Sequence, residues 1–172
     1  MLRKALFATM IFALTALAAQ PHRKKAGAAP SLAGSWQFTL MPAASTTPSS
    51  PIPGLATFTT DGSVVETDGA ELSPVSASTA PNTAASPGHG IWQPAPAAGT
   101  LYVRYVSLVV NGAGLLLGAN VTTMPDLAVL SATTGSTFAG SYTTQFIDPA
   151  GVAGRTTTGT VKGELIAHPK LP

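Results

Sequence analysis

Hydrophobic and polar residues alternate with a period of two along most of this chain, and the alternation resets at short clusters of Gly, Pro, Asn and Asp. That period puts every second side chain on one face of a strand, so the pattern predicts β-structure and no helix. Residues 34–40 are the clearest run, with Trp36, Phe38 and Leu40 on one face and Ser35, Gln37 and Thr39 on the other. Runs at 55–60 and 63–67 flank Asp61-Gly62, a two-residue link that predicts a hairpin with both turn positions at positive φ. Further strands are predicted at 88–93, 100–110, 115–123, 127–131, 137–147 and 152–166. Turns are expected at 94–99, at Asn111-Gly112-Ala113-Gly114, at Met124-Pro125-Asp126, at Thr134-Gly135-Ser136 and at Asp148-Pro149-Ala150-Gly151.

Two stretches break the pattern. Residues 41–53 hold Pro42, Pro48, Pro51 and Pro53, which cannot donate to a central ladder, and read as an exposed loop. Residues 69–87 are rich in Ser, Ala, Thr and Pro and read as a second long loop, a candidate lid or contact surface. The 100–110 run is apolar on both faces, as a strand buried on two sides, or one crossing a barrel wall beneath another layer, would be. Gly154, Gly159 and Gly163 inside the last run suggest bulges or close approaches.

The resulting expectation is an all-β fold, an antiparallel up-and-down barrel of eight or nine strands. A two-sheet β-sandwich is the alternative that strand counting leaves open. A barrel of this size has an interior that side chains fill or that holds one small ligand.

The termini change the picture of charge and address. Residues 1–19 read as a signal peptide, with Arg3 and Lys4, an apolar stretch and an Ala16-Leu17-Ala18 cleavage site, so a secreted or periplasmic product is expected. Residues 20–30 read as a disordered linker, 31–167 as the barrel domain and 168–172 as a tail. The formal charge of +2 includes Arg3 and Lys4, without which basic and acidic residues balance. From Ser31 onward, Arg104, Arg155, Lys162 and Lys170 face seven acidic residues. A domain with that balance lacks the basic face a nucleic-acid partner needs. No run is long and apolar enough to span a membrane as a helix. The chain has no cysteine, which excludes disulfides and thiolate chemistry.

Candidate chemistry is sparse. His89 sits between Gly88 and Gly90, and Glu66 or Asp68 on the preceding hairpin could orient it as an acid/base group; a hydrogen bond to nearby backbone is the competing reading. Glu66 and Asp68, about 7 Å apart as i and i+2 neighbours, are expected on a solvated face. His22, His89 and His168 are too scattered for a metal site, so neither metal nor cofactor is expected. No Gly-x-Ser-x-Gly elbow occurs, and Asn120-Val121-Thr122 matches a glycosylation acceptor inside a predicted strand. Trp36, Trp92, Tyr102, Arg104, Tyr105 and Tyr142 are the candidate ligand-binding set, suited to an apolar ligand with a polar head if they face a lumen. Ordinary core filling is the competing reading for these rings.

Gly34-Ser35-Trp36 resembles the Gly-x-Trp opening of lipocalins. With the hairpin from Phe58 to Asp68, the segment Ser86-Pro87-Gly88-His89-Gly90-Ile91-Trp92, and Gly140-Ser141-Tyr142 and Gly159-Thr160-Val161 near the end, the layout resembles small secreted bacterial calycin-like (lipocalin-like) barrels. The second lipocalin motif, around Thr-Asp-Tyr, has no counterpart. The resemblance implies a barrel over nearly the whole mature domain but no settled activity. Three expectations follow: a non-catalytic barrel binding a small apolar ligand in its lumen, a barrel-type isomerase or cyclase using His89 with Glu66 or Tyr102, and a structural or adhesion module of the cell envelope using the two long loops.

Overall fold

The computed structural model describes residues 30–43, 50–69, 83–132 and 135–166. The expected signal peptide, nearly all of the 20–30 linker, the 168–172 tail and the centres of the two long loops lie outside the described residues. Among the described residues nine strands run β1 (Gly34–Pro42), β2 (Ile52–Phe58), β3 (Ser63–Asp68), β4 (Thr83–Ala85), β5 (Gly88–Pro94), β6 (Thr100–Asn111), β7 (Leu116–Ala132), β8 (Gly135–Ile147) and β9 (Ala153–Leu165). β1 pairs with both β2 and β9, and a β6–β7 ladder closes the ring. Every ladder is antiparallel, so β1, β2, β3 and β5 to β9 form a closed eight-stranded barrel with β4 as an addition. Closure decides between barrel and sandwich. It also leaves these eight strands no unpaired edge along most of their length.

Three hairpins follow one rule. At Thr59–Ser63, Asn111–Leu115 and Asp148–Val152 the first residue's N–H donates to the fifth residue's carbonyl at 2.9, 2.9 and 3.0 Å. The fourth residue is Gly62, Gly114 or Gly151, with φ of 91°, 78° and 83°. This is the three-residue loop in which a type I turn is followed by one left-handed residue. It corrects the expected two-residue Asp61-Gly62 turn. Among the described residues no non-glycine has positive φ, and including Thr60 in the loop confines the left-handed position to Gly62.

Other predicted boundaries move for reasons of backbone pairing. The expected break at Met124-Pro125-Asp126 is a bulge inside a single strand, β7, where the register shifts against both β6 and β8. The extra residues let Met124 and Leu127, three apart, both point inward and be buried. Residues 83–85, expected in a loop, pair with β6, and Ser86 continues along the same neighbour: its N–H donates to the Leu108 carbonyl at 2.8 Å, and its Oγ accepts from the Leu108 N–H at 3.0 Å. β4 and β5 are thus one path along β6, interrupted at Pro87. Pro42 and Pro53, expected outside strands, pair with Gly159 and Thr39. Each lies where its strand is laddered on one side only, so the missing N–H costs no bond.

Alternation then sorts the side chains. Trp36, Phe38, Leu40, Phe58, Val64, Leu101, Val103, Tyr105, Phe138, Tyr142 and Val161 point inward and are buried. The outward positions of β6 correct the expectation of a strand buried on two sides: Arg104 is exposed, as are Val106 and Leu108 at 39% and 51%. Inward aromatic rings cover inward glycines on paired strands, Phe38 over Gly54, Phe138 over Gly163 and Tyr142 over Gly159. A glycine leaves room for a ring lying across the neighbouring strand, and the ring restores the burial the glycine lacks.

Candidate functional site

The inward rows change character from one end of the barrel to the other. On β6 the row reads Leu101, Val103, Tyr105, Ser107, Val109, and on β8 Phe138, Gly140, Tyr142, Thr144, Phe146. β3 goes from Val64 through Glu66 to Asp68, and β9, running the opposite way, from Val161 back to Thr157 and Arg155. Antiparallel pairing brings these polar ends together.

One end is packed shut. Leu32, Leu101 and Leu127 are completely buried toward this end, as is Trp36, whose Nε1–H donates to the Leu32 carbonyl at 2.7 Å. The Trp36 and Phe138 rings meet at 5.1 Å and 54°, the tilted contact that aromatic quadrupoles favour. The backbone segment before β1 therefore plugs this end, and Leu32 is the plug.

The other end is an open cup of about 520 Å³. β1 and β2 contribute Leu40 and Ile52, β3 Asp68, and β4 Thr83, Ala84 and Ala85. β6 contributes Tyr105, Ser107 and Val109, and β7 Asn120 and Thr122. β8 supplies Tyr142, Thr144 and Phe146, and β9 Arg155 and Thr157. The volume falls within the roughly 300–1,000 Å³ typical of small-molecule sites. Thr122 and Thr144, cross-strand partners, share a hydroxyl hydrogen bond of 2.8 Å in its wall.

Below the cup lies Glu66, only 3% exposed, among Phe38, Phe58, Val103, Met124 and Phe138. Tyr105 borders both this apolar layer and the cup. Gly88 makes room for them: a β-carbon there would run into Glu66 Oε1 and come within 2.7 Å of Tyr105 Cδ2. The expectation that Glu66 and Asp68 share a solvated face is thus corrected. They do share a face, but it is the inner one. Burial raises the Tyr142 phenol above its ordinary pKa, and the negative charge of Asp68 raises it further.

Of the six expected ligand-binding residues, Tyr105 and Tyr142 line the cup. Trp36 is in the plug, and Trp92 sits beside the β2–β3 hairpin, its Nε1–H donating to the Thr59 carbonyl at 2.8 Å. Tyr102 and Arg104 border neither the cup nor the small void beneath it. His89 is exposed on the outer wall, across from Val65 and Val106, and does not border the cup, so the acid/base role that required it to point inward lacks its geometry. Asn120, the glycosylation candidate, lines the cup. Among the described residues no group of three His, Asp or Glu could hold a metal ion.

The expected ligand-binding set lacked Asp68, Ser107, Asn120, Thr122, Thr144, Phe146, Arg155 and Thr157, which line the cup. The signal was present: each continues, at spacings of two, an inward row that begins with a large apolar residue, Met124 in the case of Thr122 and Asn120. Compared with known proteins, the chain matches no family model, no curated protein and no solved structure.

Proposed function

We propose that this protein is a small-molecule binding barrel whose ligand enters the open cup, and that it works by binding without catalysis. The observation that carries the reading is the division of the interior: a plugged, fully packed end opposite a cup of about 520 Å³ with apolar and polar walls. Packing the whole interior would bury more apolar surface, at roughly 25 cal/mol per Å², so an interior that stays open and becomes polar toward one end forgoes stability. A ligand with an apolar body and a polar group matches walls that pair Leu40, Ile52 and Phe146 with Ser107, Asn120 and Thr157. The closed eight-stranded meander is compatible with the calycin-like resemblance, and small-ligand carriage is a use such barrels permit.

Thermal unfolding in the presence of a chemically varied panel of small molecules tests the proposal. A true ligand at a hundred times its Kd adds about 2.7 kcal/mol and raises Tm by several degrees. Thr144→Trp, which fills the cup from its wall, should abolish that rise while leaving the fold intact. Ligands that stabilise both proteins equally would place binding elsewhere and defeat the proposal.

A further inference from the structure

The cup's walls also select the charge of what they hold. Asp68 contributes a carboxylate directly to the wall, and Glu66 lies one strand repeat deeper, about 7 Å along the same face. Among the described residues the one basic side chain lining the cup is Arg155, which is exposed at the start of β9. Three aromatic rings, Tyr105, Tyr142 and Phe146, line the same space. Asp68 is felt across it, since its charge contributes to holding the Tyr142 proton.

From this juxtaposition of carboxylate and aromatic rings around one cavity we infer that the cup's ligand is an amphipathic cation, a small molecule with an apolar body and a protonated amine. The inference rests on the cup being a binding site. An ammonium group near Asp68 gains charge attraction in a partly desolvated site and is also favoured by the aromatic rings that line the same space. A carboxylate in the same place meets Asp68 as a like charge and gains nothing from the ring faces, whose quadrupole repels it. A neutral hydroxyl is accepted by the Ser, Thr and Asn groups but lacks both gains. This reverses the preference that Arg104, had it pointed inward, would have given the lumen.

Calorimetric titration of the full chain with three matched probes, 2-phenylethylamine, 2-phenylethanol and phenylacetate, provides the test. The amine should bind at least about 10-fold tighter than the alcohol, and the acid most weakly. Asp68→Asn should remove most of the amine's advantage while leaving the alcohol's affinity within about twofold, and Thr144→Trp should abolish binding of all three. Equal affinities, or an acid that binds best, would overturn the cation preference and leave the cup standing as a site. Failure of the amine to bind at millimolar concentration would also overturn it, and the varied panel would then judge the cup on its own.

Discussion

Phe138 lies over Gly163. The two are cross-strand partners of β8 and β9, and a β-carbon on the glycine would collide with the phenyl ring at Cε1 and Cζ. The ring is buried at 3% and also packs on Trp36, so it has nowhere to retreat.

Gly163→Ala should therefore destabilise the barrel by about 1–3 kcal/mol through overpacking. Gly151→Ala has open space around it but requires an L-residue at φ 83°, and should cost about 1 kcal/mol from backbone strain alone. Urea unfolding separates the two causes. Phe138→Leu should relieve part of the Gly163→Ala penalty, so the double variant costs less than the sum, and it should leave the Gly151→Ala penalty unchanged.

The hairpin loops make a second prediction. Asn111 Oδ1 accepts from the Ala113 and Leu115 N–H groups at 3.0 and 2.9 Å, and Asp148 Oδ1 from Ala150 and Val152 at 2.9 and 2.8 Å. Replacing either residue with Ala should cost about 1 kcal/mol, because these exposed donors can turn to water. Asp148→Asn keeps the accepting oxygen and should be nearly neutral. Loss of stability in Asp148→Asn equal to that in Asp148→Ala would show that charge, not the acceptor, matters.

Tyr142 supplies a dependence on pH. Its pKa lies above the ordinary 10.0, first through burial and then through the Asp68 charge. The folded protein thus keeps a proton that the unfolded chain releases. Its contribution to stability is fully present below the unfolded pKa and is lost as the pH rises through the folded one. Titration of phenolate absorbance should show Tyr142 ionising above the ordinary range. Asp68→Asn should lower its midpoint without restoring the ordinary value, since burial remains the larger cause. Tyr142→Phe should flatten this part of the alkaline loss of stability.

The plug is a fourth point of test. Leu32→Ala removes a completely buried side chain and should cost about 2–5 kcal/mol. The Trp36 indole N–H, now held on the Leu32 carbonyl, should exchange with solvent faster in this variant, as read by NMR. Affinity in the cup should be unchanged, because plug and cup are at opposite ends. A plug variant that altered ligand affinity would mean the two ends are coupled.

How much of this was legible depended on the range of the interaction. Trp36, Phe38 and Leu40 declare a shared inward face by spacing alone, and Asn111, Gly114, Asp148 and Gly151 declare their hairpins by local chemistry. Seven of the nine predicted runs are strands of the barrel; β7 was expected as two strands, and β4 was expected as loop. Pro125 misled because a bulge with shifted register on both sides absorbs it, and that depends on β6 and β8. Glu66 and Asp68 read as solvated because charged residues usually are, yet parity with the buried Val64 puts them inside.

From its residues alone, the chain determined an all-β domain with inward aromatic rows and most of its turns, since alternation and turn chemistry act over two to five neighbours. Tertiary structure decided that the ring closes, that Leu32 plugs one end, and that Asp68, Tyr105, Tyr142 and Thr144 surround one cup while His89, Tyr102 and Arg104 stay outside it. Those outcomes depend on the register between strands as far apart as β1 and β9, on bulges that reset it, and on rings reaching across to glycines of the next strand. Such pairings join residues more than a hundred positions apart, beyond the reach of any local pattern.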